Sequence, residues 1–208
     1  MTEYDHEPIR GLPGHLPEGE RILWQGAPEW RSFAVSALKT RWVGAYFAAL
    51  FALSAVGGSL FGMIATLVGA IVSLGLLVLF AVLVARTTVY TITNRRVVLR
   101  IGVALNACIN LPLKLIAAAD LRQLDKAHGD IALTLAGRHR LGYAMLWPHA
   151  RPFRLAQPQP MLRALRDPDA VAQTLARACA AQVAISVADD ASPQAGEMPA
   201  PAMQRAVA

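Results

Sequence analysis

Residues 42–85 read WVGAYFAALFALSAVGGSLFGMIATLVGAIVSLGLLVLFAVLVA, a run of 44 residues without one Asp, Glu, Lys, Arg or His. So long a charge-free segment is typical of sequence that lies in a lipid bilayer. As a single helix it would be about 66 Å long, roughly twice the hydrocarbon core. The small residues Gly57, Gly58 and Ser59 interrupt the run. The sequence therefore predicts a hairpin of two transmembrane helices, about 42–56 or 59 and about 63–85.

Charges on the flanks predict the orientation of this hairpin. Basic residues lie on both sides of it, whereas the turn carries no charge: Arg31, Lys39 and Arg41 come before, and Arg86, Arg95, Arg96 and Arg100 come after. Because basic residues beside membrane helices stay in the cytoplasm, we expect a multi-pass protein with both termini cytoplasmic. Trp42 and Tyr46 fit an aromatic belt at the membrane interface, or they pack within the protein.

The rest of the sequence divides into two polar ends and one domain that the hairpin interrupts. Residues 1–20 are polar and contain no secretory signal, so the first helix must direct insertion. We expect 1–14 to be a flexible N-terminus and 186–208, rich in Ala, Pro and Asp, to be a disordered tail. Residues 15–41 and 86–185 then form the two parts of one cytoplasmic domain.

Short strands dominate the cytoplasmic part. Residues 88–93 and 96–101 alternate with period two around an Asn94-Arg95 turn, which predicts a β-hairpin. Further strands are predicted at 21–25, 109–113, 115–121 and 131–135, and at Leu141, Tyr143 and Met145 after a turn at 136–139. In the strand at 96–101, Val97, Leu99 and Ile101 share a core face, and Arg96, Val98 and Arg100 share the opposite face.

A helix is predicted to close this domain. Asp167 is a good N-cap, Pro168 suits the first helical position and Asp169 favours the helix dipole. Apolar residues then recur at helical spacing to about Val183, at Val171, Leu175 and Ala178. Hydropathy also permits a third membrane helix at 101–119, but Lys114 would lie in the bilayer at a cost of about 2.5–3.5 kcal/mol, so we reject it.

Two stretches of sequence resemble a known family. Glu18-Gly-Glu-Arg-Ile-Leu-Trp24 precedes the hairpin, and Tyr90-Thr-Ile-Thr-Asn-Arg-Arg-Val97 follows it. This pattern resembles the bacterial PH-like membrane domains. The resemblance implies a membrane-anchored α+β fold, in which a transmembrane hairpin is inserted into a bent β-barrel capped by a C-terminal helix.

A narrower resemblance covers about residues 12–180. The stretches 23–30, 109–113, 118–122, 129–133 and above all Leu146-Trp-Pro-His-Ala-Arg-Pro-Phe-Arg154 are similar to the photosynthetic reaction-centre assembly proteins of purple bacteria. This resemblance implies a non-enzymatic assembly factor in the inner, intracytoplasmic membrane. Its partners would be reaction-centre and core antenna subunits. The alternative is a generic membrane-anchored module that binds anionic lipid or another membrane protein.

Eight residues are candidates for contact with a partner or with lipid: Trp30, Arg95, Arg96, Arg100, Trp147, His149, Arg151 and Arg154. Two prolines hold the 147–154 segment extended, which presents its side chains to a partner at little entropic cost. The alternative is a rigid crossover with Trp147 and Phe153 buried. Arg96 and Arg100 are expected to project from one sheet face into solvent, so that replacing them costs little stability.

Other classes of site find little support in the sequence. From Arg86 to Arg166 thirteen Lys/Arg stand against three Asp, an excess that favours anionic lipid or only enforces topology. The basic residues form no nucleic-acid recognition motif. His128, His139 and His149 lie near no nucleophile motif, Cys108 and Cys179 are far apart, and the hairpin offers no axial ligand for a pigment. We therefore expect no catalytic residue, metal or cofactor.

Small residues of the hairpin allow close helix packing. They include Ala48, Ala52, Ala55, Gly62, Ala65, Gly69, Ala70, Ser73 and Gly75. We favour packing of the two hairpin helices on each other. The alternative is that they dock to a partner's membrane helix, or to a second copy of the chain in a homodimer.

Overall fold

The structure is a computed structural model that describes residues 11–12, 14–103, 107–137 and 141–191, with only the backbone for 186–191. The described chain contains seven strands: β1 Ile22–Gly26, β2 Val89–Thr93, β3 Arg96–Ile101, β4 Ala107–Pro112, β5 Ile116–Gln123, β6 His128–Leu135 and β7 Met161–Arg166. It also contains five α-helices: α1 Trp30–Ser36, α2 Thr40–Val56, α3 Leu60–Thr87, α4 Tyr143–Leu146 and α5 Pro168–Ala191.

The helical hairpin forms where the sequence predicts it. Gly58 adopts φ +68° between α2 and α3, and Ser59 caps α3 by accepting a hydrogen bond from Gly62 N at 3.1 Å. The helices run antiparallel, since Gly62 lies against Ser54 and Gly69 against Phe47. The close approach at these two glycines favours packing within the hairpin.

The two helices differ in length and in burial. At about 1.5 Å per residue, α2 is about 26 Å long and α3 about 42 Å. By length and composition α3 is the one helix in the described chain that qualifies as a membrane span, and α2 is shorter but also apolar. At its C-terminal end, α3 buries Ala81 and Val84 against Phe33 and Ala34 of α1. The lower turns of α3 therefore belong to the domain beneath the hairpin.

Two antiparallel sheets form the domain. The first has the order β1-β2-β3-β4 and the second β5-β6-β7, and α5 packs across them. Tyr90, Leu99 and Ile131 are among the side chains of the main core, which Val171, Leu175 and Ala178 of α5 complete. The predicted α+β order of strands with a closing C-terminal helix is confirmed. The described residues between 101 and 119 form the end of β3, strand β4, a 3-10 turn at Leu113–Leu115 and the start of β5 rather than a third membrane helix.

Several elements differ from the prediction. Tyr143 and Met145 belong to the short helix α4, so the predicted strand there is wrong, and residues 138–140 of its turn lie outside the described chain. Strand β7 was not predicted because Arg163 and Arg166 give it a polar appearance, yet Arg163 is buried. Helix α1 is too short to show periodicity. Helix α5 continues to Ala191, into the predicted tail, and residues 1–10 and 192–208 are not described.

Candidate functional site

The most distinctive stretch, 146–154, starts beside the base of α3 and spans two environments. Its first part packs between α3 and the sheets, where His149 is fully buried. Its second part forms an exposed loop that returns to β7 through a bridge between Ala150 and Pro160. We refer to residues 146–150 together with α1 and the lower turns of α3 as the junction.

His149 holds the junction together through buried hydrogen bonds. Its Nδ1 lies 2.6 Å from Tyr90 Oη and its Nε2 lies 3.3 Å from Thr88 Oγ1. Because Arg163 N donates to Tyr90 Oη, the Tyr90 hydroxyl donates to Nδ1, and the imidazole is neutral with its proton on Nε2. Burial, reinforced by the Arg163 charge, lowers the pKa of His149 to about 3. The prediction that His149 contacts a partner is therefore wrong, because it lies inside the domain.

Trp147 has the opposite environment. Its side chain is 54% exposed, and its indole stacks on Phe80 of α3 with ring centroids 5.6 Å apart. Together with Val84, Ile101 and Met145 the two rings line a mainly apolar cavity of about 520 Å³. The side chain thus lies at the point where the apolar helix enters the domain, within reach of a partner or of lipid.

The loop after the junction exposes apolar side chains at its tip. Phe153 is 97% exposed with φ +62°, and Leu155 and Arg154 are also exposed. Arg151 closes the base of the loop, donating to Asp120 Oδ2 at 2.6 Å and to Gln159 Oε1 at 3.1 Å. Of the two alternatives for this segment, exposure is therefore the outcome for Trp147 and Phe153.

The arginines of β3 do not form a solvated basic face. Arg96 donates to both carboxylate oxygens of Glu20, from Nε at 2.8 Å and Nη2 at 3.0 Å. Arg100 is only 8% exposed, and Gly11 lies against Val89, its partner in the register. The predicted projection of Arg96 and Arg100 into solvent is wrong, since an ion pair and the N-terminal segment cover that face. Arg95 in the turn is exposed.

The two family-like stretches in fact bind each other. Thr93 Oγ1 donates to Glu20 Oε1 at 2.8 Å, and Asn94 Nδ2 donates to Gly19 O at 2.9 Å. Arg21 N in turn donates to Asn94 Oδ1 at 2.9 Å. Burial alone would raise the pKa of Glu20, but the hydrogen bonds and charges from Arg96 and its neighbours hold it below its ordinary value. We call these residues the clasp, since they join the two halves of the interrupted domain.

Catalytic groups do not assemble around the remaining candidates. His128 Nδ1 lies 3.0 Å from Asp125 Oδ1, and Ser32 Oγ donates to the other oxygen of Asp125 at 3.5 Å. A hydroxyl bonded to the carboxylate rather than to the imidazole is not arranged as a nucleophile and base. Within the described residues there is no cluster of His, Cys, Asp or Glu that could hold a metal.

The contact candidate Trp30 lies at the start of α1. The Arg31 guanidinium carbon lies over its indole ring, 5.1 Å from the ring centroid.

The sequence matches the family model described as Bacterial PH domain over residues 41–178, and this range includes strands β2 to β7 and nearly all of the helical hairpin. The chain belongs to the bacterial PH domain family. A relative in Rhodobacter capsulatus, titled an uncharacterized 23.7 kDa protein in the puhA 5′ region, is 38% identical over 192 residues. That alignment covers 87% of this chain and 89% of the relative.

A solved bacterial PH-type structure shows only limited likeness. The duf1696 family protein with a pleckstrin-homology domain from Shewanella loihica PV-4 is 15% identical, with a TM-score of 0.30. The match covers 44% of this chain and 71% of that chain. The membership in the bacterial PH domain family rests on the family match over residues 41–178.

Three residues of this bacterial PH domain matter at the junction although none is among the contact candidates predicted from the sequence: Phe33, Phe80 and Tyr90. Phe80 is the only aromatic residue in the last two dozen residues of the apolar run, which is a signal for an interfacial position. Phe33 lies in helix α1, which the sequence did not predict. Glu29 is the N-cap of this helix, and its Oε2 accepts a hydrogen bond from Ser32 N at 2.7 Å. Tyr90 alternates with other core residues of β2, and only its contact with His149 shows its role.

Proposed function

We propose that α2 and α3 form a transmembrane hairpin that anchors the domain in a membrane. Large apolar side chains are exposed along both helices, for example Trp42, Leu53 and Phe61. So much exposed apolar surface requires a lipid or protein cover. The first twenty residues of α3 are about 30 Å long, which equals the hydrocarbon thickness, and its lower turns are buried against α1.

This proposal predicts that both termini face the cytoplasm. The basic flanks at Arg41 and Arg86 and the uncharged turn at Gly58 are the physical reason. A reporter active only in the cytoplasm should be active when fused after residue 208 and inactive when inserted at Gly58. Activity in the reverse pattern would exclude this topology.

We further propose that the protein is a non-enzymatic assembly factor of the PuhB type for the photosynthetic reaction centre and its core antenna. The observation that carries this proposal is the 38% identical relative in the puhA 5′ region, whose alignment spans nearly the whole chain. It agrees with the similarity of residues 146–154 to reaction-centre assembly proteins. The geometry supports a binding role, since Trp147 and the loop tip expose apolar surface while His149 and Tyr90 fix the base.

Deleting the gene in a phototrophic host should lower the amount of assembled reaction centre and leave pigment synthesis intact. The reason is that the chain offers exposed apolar contacts beside an apolar helix, and that the described residues contain no cluster of His, Cys, Asp or Glu that could hold a metal. Absorbance spectra of membranes measure both quantities in one experiment. Loss of all bacteriochlorophyll with accumulation of a precursor would indicate an enzyme and contradict the proposal.

Complementation with variants tests the loop tip. Replacing Phe153 and Leu155 by Ser should leave the protein at its normal level, because both side chains are exposed, and should reduce reaction-centre assembly several-fold. Ile185→Ser, an exposed apolar side chain on α5, is the matched control and should complement fully. Full complementation by the Phe153 and Leu155 variant would show that the loop tip does not contact the partner.

A further inference from the structure

We propose that the membrane entry of α2 carries a binding site for the phosphate of an anionic phospholipid. The site is a cavity of about 540 Å³ between α1, the first turn of α2 and the end of β5. It rests on the proposed insertion of the hairpin. None of its cationic residues is among the contact candidates predicted from the sequence. We call it the entry pocket.

Four cationic side chains line the entry pocket: Arg31, Lys39, Arg41 and Arg122. The single acidic residue of its lining, Asp125, is already engaged, because its Oδ1 accepts from both Ala127 N and His128 N, each at 2.8 Å. Within the described part of the chain, Lys39, Arg41 and Arg122 form no ion pair with a carboxylate. Burial raises the pKa of Asp130, and the nearby charges of Arg122 and Lys39 only partly oppose this rise. The pocket therefore keeps an excess of positive charge.

The backbone at the start of α2 adds to the positive electrostatic potential of the pocket. Lys39 is the N-cap residue of α2 and adopts φ +56°, a left-handed conformation that is uncommon for a residue with a side chain. The first turn of this 17-residue helix lines the pocket, which therefore lies at the positive end of the helix dipole. No side chain caps the helix there, so its first backbone N–H groups remain available to an anion. Ser36 Oγ, which belongs to a lining residue, is buried and has no hydrogen-bond partner among the described residues. An anion in the pocket would supply acceptors for these groups.

Position identifies the anion. Trp42 lines the same pocket and is 74% exposed, and the apolar run of the hairpin begins at this residue. An indole ring at the end of a membrane helix marks the depth of the lipid head groups. A cationic cavity at that depth meets the phosphates of anionic lipids, which attract each nearby Lys or Arg. The conformation of Lys39 and the placement of Arg122 thus form a lipid site at the cytoplasmic leaflet.

The test uses the full chain in a mild detergent and short-chain dioctanoyl phosphatidylglycerol as the probe. Binding is measured from the concentration-dependent rise in melting temperature. Dioctanoyl phosphatidylcholine shows whether a lipid without net negative charge stabilises the protein. Inorganic phosphate shows whether the pocket binds free phosphate. We expect stabilisation by phosphatidylglycerol and little by either of the others.

The deciding variant is Lys39→Gln with Arg122→Gln, which keeps Arg31, Arg41 and Arg86 to direct topology. It should bind phosphatidylglycerol about 25-fold more weakly, at about fivefold for each cation beside an anionic lipid. The control, Arg95→Gln with Arg154→Gln, removes two exposed charges elsewhere and should bind as the wild type does. Equal binding by both variants, no binding by the wild type, or equal stabilisation by inorganic phosphate would each overturn the lipid site. None of these results would bear on reaction-centre assembly, which the deletion tests separately.

Discussion

Replacing Arg96 by Ala should destabilise the folded domain by about 1–3 kcal/mol, because the buried carboxylate of Glu20 then keeps only the hydrogen bond from Thr93. The side chain of Glu20 is only 2% exposed and accepts two hydrogen bonds from Arg96. The loss should be greatest above pH 4.5, where free Glu is ionised, and should shrink as acid protonates Glu20. Denaturant unfolding of the full chain in detergent, followed by tryptophan fluorescence, measures it.

Arg95 provides the matched control for this prediction. It is adjacent in sequence, carries the same charge and is exposed, so Arg95→Ala should change the free energy of unfolding by less than about 0.5 kcal/mol. Arg96→Lys should be intermediate, since it keeps the charge and loses the paired geometry. If the Arg95 and Arg96 variants were equally stable, the clasp would not hold the two halves of the domain together.

The second large effect concerns pH. The pKa of His149 is about 3 in the folded protein and 6.5 in a free histidine. Between these values the unfolded chain binds a proton that the folded chain does not, so stability falls as pH decreases through 6.5. From pH 7.5 to 5 the loss should be about 2 kcal/mol, before acid reaches the range of Glu20.

His149→Asn should remove this dependence while lowering stability at pH 7.5 by about 1–3 kcal/mol, because Tyr90 Oη then loses its acceptor. His128→Asn alters a half-buried histidine at the start of β6 and should retain the slope that His149 produces. Unfolding curves at pH 7.5, 6 and 5 for the three proteins decide the matter. An unchanged slope in the His149 variant would place the acid sensitivity elsewhere.

The family-like sequence motifs prove to be mainly structural. The stretch around Thr93 and Arg96 carries the resemblance to the bacterial PH-like domains and two of the predicted contact residues, yet its side chains bind Glu20 and, through Asn94, the backbone before β1. An interrupted domain needs such contacts, because the hairpin separates β1 from β2 by more than sixty residues of chain. Loop closure over this distance costs entropy that a set of charge-assisted hydrogen bonds offsets.

The sequence by itself determined the hairpin, its Gly57–Ser59 turn, most of the strands and the core face of α5. These features follow from local patterns, since the absence of charge, period-two alternation and capping residues act over a few neighbours. It did not determine whether a given arginine or histidine is exposed. Arg96 and Arg154 look alike in sequence, but one pairs with Glu20 and the other lies in an exposed loop.

Only the tertiary structure decided the sites, because each combines residues that are distant in the chain. His149 meets Tyr90 across 59 positions, and the entry pocket brings Arg122 to Lys39 and Trp42. Burial and the field of neighbouring charges depend on every segment that packs nearby, and α1 and β7, which the sequence did not reveal, supply several of these neighbours. Local patterns fix the elements of this protein, and the packing of separated segments fixes which side chains remain available for binding.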